Sequence, residues 1–183
     1  PEGVKTIAPY LDAATVDFKG SGDPKFYREF CSAPSVDPIY ACLKAMPAAR
    51  IHVEITNLVV PKVDESAKGV ERPAQWIVTE LGADTPLHLL RFYPHYEFSH
   101  LNPTPIAALE AAGSAAKEAG LKYVYLGNVP GHQGANTICP KCGALLVERL
   151  GMQTLSVRLT REGRCPTCNQ AIPIILANES KHH

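Results

Sequence analysis

Residues 51–60 of the chain are IHVEITNLVV, the most strand-like stretch of the sequence. β-Branched residues dominate it, polar and apolar residues alternate in its first half, and its second half is fully apolar. Just before it, Ile39, Leu43 and Met46 form an apolar stripe at spacings of four and three, which predicts a helix over residues 37–49. An amphipathic helix that leads into a buried strand is the repeating unit of an α/β fold.

The same alternation extends in both directions from this stretch. Three more strands are predicted, at residues 13–19 (AATVDFK), 86–92 (PLHLLRF) and 123–126 (YVYL). More helices are predicted at Asp23-Pro24, at 104–120 and at 70–81, the last with a start near Arg72 because proline is favoured in a first turn. Since strands that alternate with helices pair in parallel, residues 1–132 are expected to form an α/β domain with a mostly parallel sheet.

The composition excludes several classes of protein. The chain has 183 residues, of which 45% are hydrophobic and 20% charged, which argues against a disordered or fibrous protein. Lysine plus arginine total 18, as do aspartate plus glutamate, so no net positive field attracts nucleic acid. No apolar run approaches the roughly 20 residues of a membrane span, so no membrane partner is expected. Cysteines that look reduced and the lack of a targeting segment favour the cytoplasm.

Four of the six cysteines lie near the carboxyl end in two close pairs. They are Cys139, Cys142, Cys165 and Cys168. Each pair can form a tight knuckle that aims two thiolates at one point, and a hairpin between the pairs would bring the two points together around a tetrahedral zinc ion. Gly143 and Asn169 follow the pairs and can supply the positive φ that such knuckles need. Two disulfides, rubredoxin-like iron and an iron–sulfur cluster are the alternatives, since they use the same four residues.

The composition changes at Gly127, where glycine, proline, asparagine and histidine become frequent. Two short strand-like runs follow, at 144–150 and 154–159. This change predicts a second domain, residues 133–183, folded as a small zinc-ribbon-like β module. A module of this size buries little apolar area, so the metal would contribute much of its folding free energy.

Polar residues follow the predicted strands where the strands end. Parallel strands end at one edge of the sheet, which is where α/β proteins place functional groups. Asp17 and Lys19 lie at the end of the first strand, and Arg91 and Tyr93 lie at the end of the third. The functional interpretation of Arg91 and Tyr93 is substrate or cofactor binding, and the alternative is a solvated loop over one packed aromatic ring.

Other polar residues lie within the strands or after the last one. His52 and Glu54 share one face of the strand at 51–60 and are expected to form a hydrogen-bonded pair rather than a metal site. His88 is expected to point inward from the third strand. Asn128 and His132 follow the fourth strand and are hypotheses for the rim of an active site.

Five motifs together resemble a known enzyme family. They are VDFKG (16–20), ITNLVVP (55–61), PLHLLRFYPHY (86–96), YVYLGNVPGH (123–132) and CPKCG (139–143). In this order they resemble the radical S-adenosylmethionine (SAM) enzymes of the AmmeMemoRadiSam type, which are similar to the activating enzymes of pyruvate formate-lyase. The resemblance implies a partial (β/α) barrel, a [4Fe–4S] cluster that binds SAM, and reductive cleavage of SAM to a 5′-deoxyadenosyl radical. It also implies that Asp17 and Lys19 contact the cofactor.

The cluster motif of that family, Cys-x₃-Cys-x₂-Cys, does not occur in this sequence. The chain is therefore expected to be the carboxyl-terminal half of such an enzyme, inactive alone, with SAM, an unidentified substrate and an unidentified electron donor as partners of the complete protein. The alternative function is a zinc-ribbon module on a degenerate barrel that binds protein or nucleic acid. Nucleic acid is the less favoured ligand, because Glu148 and Glu162 offset the basic residues of the ribbon and no aromatic residues are interleaved with them.

Overall fold

Strands and helices alternate as far as residue 127. The computed structural model describes residues 2–61 and 67–175 of the chain. Its helices are α1 (Glu2–Ile7), α2 (Pro24–Phe30), α3 (Asp37–Ala48), α4 (Ala67–Glu80) and α5 (Ile106–Glu118). Its strands are β1 (Ala13–Phe18), β2 (His52–Val59), β3 (Leu87–Arg91), β4 (Val124–Gly127), β5 (Thr137–Ile138), β6 (Leu145–Leu150) and β7 (Gln153–Val157).

The first four strands form one parallel sheet in the order β1-β2-β3-β4, so neighbours in sequence are neighbours in space. Each crossover between adjacent strands contains at least one helix. The predicted α/β domain with four parallel strands is therefore confirmed. Its carboxyl-terminal strand ends lie along one edge of the sheet, as the sequence predicts.

One face of the sheet is covered by helices and holds the main core. On β2 every second residue is buried, and Val53, Ile55 and Val59 pack with apolar residues of α3, α4 and α5. Burial of these side chains supplies the hydrophobic stabilisation of the domain, at about 25 cal/mol per Å² of apolar area. The other face carries the alternate residues, which are half-buried or exposed and largely polar. We call it the polar face.

The last three strands form a separate antiparallel sheet in the order β5-β6-β7. A second apolar core lies between this sheet and the two cysteine pairs. Its buried members are Tyr123, Cys139, Leu146, Val147, Cys165 and Ile172. Tyr125 of β4 packs against the same core, so the ribbon lies against the polar side of the last parallel strand.

One predicted boundary is wrong. The fourth helix begins at Ala67 rather than near Arg72, so Pro73 lies inside it rather than in its first turn. Proline fits helical φ, and its cost inside a helix is the lost N–H donor and crowding of the preceding turn, which tertiary packing can offset. None of the helices in the described ranges combines the length and the apolar character needed to cross a bilayer.

Candidate functional site

Four side chains form one row across the polar face. The strand register pairs Asp17 with Thr56, Thr56 with His88, and His88 with Tyr125, so each of the four parallel strands contributes one residue. Residues that are paired in register project from the same face of a sheet. We call these four residues the polar row. It gives the face a carboxylate at one end and a phenol ring at the other.

The carboxylate end of the row is an ion pair. Nζ of Lys19 lies 2.7 Å from Oδ2 of Asp17, and the hydroxyl of Thr56 donates to the same carboxyl group. Hydrogen bonds from Lys19 and Thr56 hold the pKa of Asp17 below its ordinary value. Lys19 and Asp17 remain about half exposed, at 46% and 54% of their side-chain area. The structure therefore brings this predicted pair together and leaves both charged groups accessible to a ligand.

A tight turn directly after Lys19 fixes the backbone from which the Lys19 side chain projects. Gly20, Ser21 and Gly22 all have positive φ, at 50°, 52° and 72°. A Cβ atom on Gly20 would overlap the ring of Phe26, so only glycine fits there. The buried amide of Asn57 accepts from the backbone N–H of Ser21 at 3.1 Å and donates to its hydroxyl at 3.2 Å. Strained backbone held by a buried side chain in this way is characteristic of functional sites.

Two histidines share the carboxylate of Glu54, which lies next to the polar row on the same face of the sheet. Nε2 of His88 lies 2.7 Å from Oε2 of Glu54, and Nε2 of His52 lies 3.2 Å from Oε1. The predicted hydrogen bond between His52 and Glu54 is thus confirmed, and His88 joins it from the next strand. Hydrogen bonds from His52 and His88 hold the pKa of Glu54 well below its ordinary value. The carboxylate is therefore ionised at neutral pH.

Arg91 and Tyr93 lie together at the rim of the same edge. The guanidinium of Arg91 donates to the carbonyl of Thr104 at 2.8 Å and to the hydroxyl of Tyr93 at 3.1 Å, and lies 5.0 Å from that ring. The Tyr93 hydroxyl donates in turn to the carbonyl of Asn128 at 3.1 Å. By strand alternation Arg91 shares the helix side with Leu89, so these contacts order the rim. No hydrogen bond or ion pair within the described residues links this pair to Asp17 or Lys19.

His132 points away from the polar face. Its Nε2 lies 3.1 Å from Oε1 of Glu110 on α5, and its Nδ1 accepts from the backbone N–H of Gly134 at 2.9 Å. Together with Ser114 and Lys117 these residues line an open cleft of about 220 Å³ on the helix side of β4. The structure thus separates His132 from the polar row, whereas Asn128 donates to the carbonyl of Arg91 at the rim.

The four carboxyl-terminal cysteines converge on one point. Their sulfur atoms all lie within 4.8 Å of one another, with Sγ–Sγ distances of 3.6 Å for Cys139–Cys168 and for Cys142–Cys165. Zn–S bonds of about 2.3 Å in a tetrahedron place sulfur atoms about 3.8 Å apart. The thiol positions therefore fit a single tetrahedral metal ion. All four are free thiols, so the structure does not support the disulfide alternative.

Both knuckles use the same backbone pattern. In the first, the N–H of Gly143 bonds the carbonyl of Cys139 at 2.9 Å, and in the second the N–H of Asn169 bonds that of Cys165 at 2.9 Å. Gly143 and Asn169 have φ of 74° and 59°, which confirms the predicted left-handed positions. The positive φ turns the chain back sharply enough for two cysteines that are three positions apart to face one centre.

Two members of the polar row, Thr56 and Tyr125, were not proposed as site residues from the sequence. Tyr125 is the one that contacts the ribbon. Its ring stacks on His88 with centroids 4.9 Å apart. Its hydroxyl lies 3.0 Å from Oγ1 of Thr137 in the ribbon. Strand alternation is the signal that could have identified Tyr125. Tyr125 is the second residue of β4 and His88 is the second residue of β3, so both side chains alternate with buried apolar neighbours.

Comparison with known proteins supports the fold. No protein-family model matches the chain. An uncharacterized protein of Methanocaldococcus jannaschii is 43% identical over 167 residues, which are 91% of this chain and 49% of that protein. The chain thus spans about half the length of the curated relative it matches.

The solved structures include a domain of pyruvate-formate lyase-activating enzyme from Bacteroides vulgatus. It superposes with a TM-score of 0.58 over 69% of this chain and 74% of that one, at 16% sequence identity. The chain therefore shares the fold of that activating-enzyme domain. At this level of identity the likeness establishes the fold and leaves the chemistry to be argued from the residues.

Proposed function

We propose that the chain is the carboxyl-terminal half of a radical SAM enzyme of the AmmeMemoRadiSam type, and that its polar face forms part of the SAM site. The observation that carries this proposal is the accessible Asp17–Lys19 ion pair at the carboxyl-terminal edge of a four-stranded parallel sheet. An accessible polar edge of this kind is the usual ligand site of parallel α/β folds. The activating-enzyme likeness of the fold supports the same assignment.

The chemistry of the pair suits the amino-acid part of SAM. The Lys19 ammonium can pair with the methionine carboxylate, and the Asp17 carboxylate can accept from the methionine ammonium. Asp17 is a carboxylate at neutral pH, and the hydrogen bonds from Lys19 and Thr56 lower its pKa further, so it can accept from a cation. Arg91 and Tyr93 are proposed as further contacts at the rim, where each has a partner that holds it in place.

The residues of this chain do not fit a [4Fe–4S] cluster of the radical SAM kind. The required Cys-x₃-Cys-x₂-Cys spacing is missing, and the four-cysteine centre has a different spacing and lies against β4. Reductive cleavage of SAM is therefore assigned to the complete enzyme, with the cluster, the substrate and the electron donor supplied from outside this chain.

The four-cysteine centre is proposed to hold zinc in a ribbon of residues 133–183, of which 176–183 lie outside the described ranges. Thiolates of a four-iron cluster bind four separate iron atoms at the corners of the cluster, so they lie farther apart than thiolates on one ion. Because all four sulfur atoms lie within 4.8 Å of one another, the centre favours a single ion, either zinc or rubredoxin-like iron. Zinc needs no redox partner and stabilises such small modules by bridging their knuckles.

Two experiments test the radical SAM assignment. The reading frame upstream of this chain should encode Cys-x₃-Cys-x₂-Cys in frame, and a natural protein without it would overturn the assignment. Isothermal titration calorimetry of this chain with SAM should give binding no tighter than about 1 mM, equivalent to about −4 kcal/mol. Tight binding would show that the polar face needs no second half.

The Asp17–Lys19 contacts are tested in the complete protein with its cluster reconstituted. Asp17→Asn and Lys19→Met should each weaken SAM binding at least about tenfold, because each removes one charge-assisted hydrogen bond. Lys25→Met is the matched control, since Lys25 lies in the next helix and, among the described residues, its ammonium pairs only with Glu29, at 3.8 Å. Equal affinities for Lys19→Met and Lys25→Met would contradict the assignment.

A second candidate function is supported by an exposed apolar surface on the ribbon. Leu150, Met152, Leu155 and Val157 are more than half exposed on the β6–β7 hairpin, and this suits a module that binds protein. Nucleic acid is less favoured, because Arg158 lies 3.7 Å from Glu148 and Arg149 points inward. Salt-sensitive binding in a gel-shift assay would restore the nucleic-acid alternative.

A further inference from the structure

A stack of three side chains joins the four-cysteine ribbon to the polar face. The imidazole of His88 lies on the ring of Tyr125 at 4.9 Å and 22°, and the guanidinium of Arg149 lies 5.5 Å from the centre of the same ring. His88 belongs to β3, Tyr125 to β4 and Arg149 to β6 of the ribbon. The stack therefore crosses from one sheet to the other.

Hydrogen bonds hold the ribbon end of this stack. Nη1 of Arg149 donates to the hydroxyl oxygen of Thr137 at 2.8 Å and to the carbonyl of Ala135 at 3.1 Å. The same Thr137 oxygen lies 3.0 Å from the hydroxyl of Tyr125. The backbone N–H of Arg149 donates to the side chain of Asn136 at 2.8 Å. The guanidinium has little freedom to leave the tyrosine ring.

The other end of the stack reaches Glu54, one of the charged groups of the polar face. His88 places Nε2 2.7 Å from Glu54, and Glu54 also binds His52. A ring packed on one side and hydrogen-bonded at one nitrogen has a single orientation. The imidazole of His88 is thus held between the tyrosine ring and Glu54, and the tyrosine ring contacts Arg149 and Thr137 of the ribbon.

The cysteine centre supports Arg149 through the second core. Leu146 and Val147 precede Arg149 on β6 and are buried against Cys139 and Cys165. A metal ion that joins the two knuckles would therefore hold β6 in place. Loss of that ion would free the strand that carries Arg149.

We propose that Arg149 is a positioning residue that, acting through Tyr125, orients His88 against Glu54, so that the metal-loaded ribbon forms a structural part of the polar face. The inference extends the proposed function, because it makes the ribbon a wall of the proposed SAM site. It does not depend on SAM, because it concerns the orientation of a side chain in the free protein.

The test compares two ribbon arginines in the full chain loaded with zinc. Arg149→Gln removes the cation from the tyrosine ring. Arg158→Gln is the matched control, since the guanidinium of Arg158 pairs only with Glu148 within the described residues, and its backbone hydrogen bond to Leu146 is kept in the variant. Histidine side-chain NMR, with the His88 signal assigned by His88→Gln, reports the Nε2 hydrogen bond. In Arg149→Gln the proton on Nε2 of His88 should exchange with water about fivefold faster, as expected for loss of one cation–π contact. In Arg158→Gln the rate should stay unchanged.

Metal content and thermal midpoint are measured on the same samples. An unchanged His88 signal in Arg149→Gln with zinc bound would overturn the inference, as would equal changes in the two variants. Loss of zinc from Arg149→Gln would also overturn it, because it would make Arg149 part of the ribbon fold alone. Removal of zinc from the wild-type chain by a chelator should reproduce the faster exchange, and no change on removal would contradict the proposed role of the metal.

SAM affinity of the complete enzyme separates this inference from the proposed function. A changed His88 signal without SAM binding would leave the positioning role intact and refute the radical SAM assignment. SAM binding with an unchanged His88 signal would support the radical SAM assignment and refute the positioning role of Arg149.

Discussion

His88 and Glu54 form a hydrogen bond between β3 and β2, with Nε2 and Oε2 2.7 Å apart. Glu54 also binds His52, so one carboxylate is shared by two imidazoles on a half-buried face. A carboxylate held in this way keeps its charge because both neighbours stabilise the ionised form.

Replacement of Glu54 should change how stability depends on pH. Its pKa is lowered in the folded chain, so its contribution to stability is fully present above the unfolded pKa of about 4.3. That contribution is lost as the pH falls through the folded value. Glu54→Gln should therefore lower the thermal midpoint at pH 7 by a few degrees, and the gap to wild type should narrow towards pH 3.

Thermal unfolding at a series of pH values measures this gap. Glu110→Gln is the control, since Glu110 is an exposed carboxylate that contacts the single histidine His132. A constant gap for Glu54→Gln from pH 7 to pH 3 would show that the Glu54 charge has no part in stability.

Loss of a knuckle cysteine should release the metal. Elemental analysis of the wild-type chain should find about one zinc per chain, and Cys139→Ser or Cys165→Ser should lose it, because three thiolates hold zinc less well than four. Cys31→Ser is the control, since Cys31 is exposed and lies outside the cluster. Hydrogen exchange should show that residues 137–172 open before the parallel sheet. A fully loaded Cys139→Ser chain would contradict the assignment of the centre.

Thr104 should stabilise the carboxyl-terminal edge of the sheet, because its hydroxyl joins the ends of β2 and β3. It is fully buried, its hydroxyl donates to the carbonyl of Val59 at 2.5 Å, and it accepts from the N–H of Phe92 at 3.1 Å. Thr104→Val leaves both backbone groups without this partner, so it should cost about 2–3 kcal/mol in the free energy of unfolding. Thr104→Ser keeps the hydroxyl and should cost less than half as much. Equal costs in urea unfolding would show that packing alone matters.

The turn after Lys19 should tolerate only glycine at its first position. Gly20→Ala adds a methyl group that meets the ring of Phe26 in a left-handed backbone, so it should cost more than about 2 kcal/mol. Gly131→Ala has the same backbone strain, with φ of 76° but open space, and should cost about 1 kcal/mol. Denaturant unfolding distinguishes the two. A similar cost at both positions would mean that Phe26 can move aside.

The regular elements were predictable because they depend on local periodicity. The alternation in IHVEITNLVV corresponds to a strand in which every second residue is buried. In the knuckles, Gly143 and Asn169 have the predicted left-handed backbone conformation. Asp17 and Lys19 were predicted only as neighbours at one strand end; they form an ion pair because residues two apart in an extended chain share one face. The start of α4 was misplaced, because Pro73 is tolerated inside a helix that packs well on the sheet.

The contacts between elements were not predictable in the same way. His132 follows β4 as closely as Asn128 does, yet it points to Glu110 on the helix side. Tyr125 lies within the motif YVYLGNVPGH, but its place between His88 and Arg149 depends on how the ribbon lies against β4.

The amino-acid sequence by itself determined the strands, the helices and the two cysteine knuckles, since each depends on residues close together in the chain, and the alternation of strands with helices implied a parallel sheet. Only the tertiary structure decided which side chains share the polar row and that the ribbon reaches it through Arg149. Such contacts join residues far apart in sequence, and they depend on the register of neighbouring strands and the packing of two cores, which no local pattern encodes.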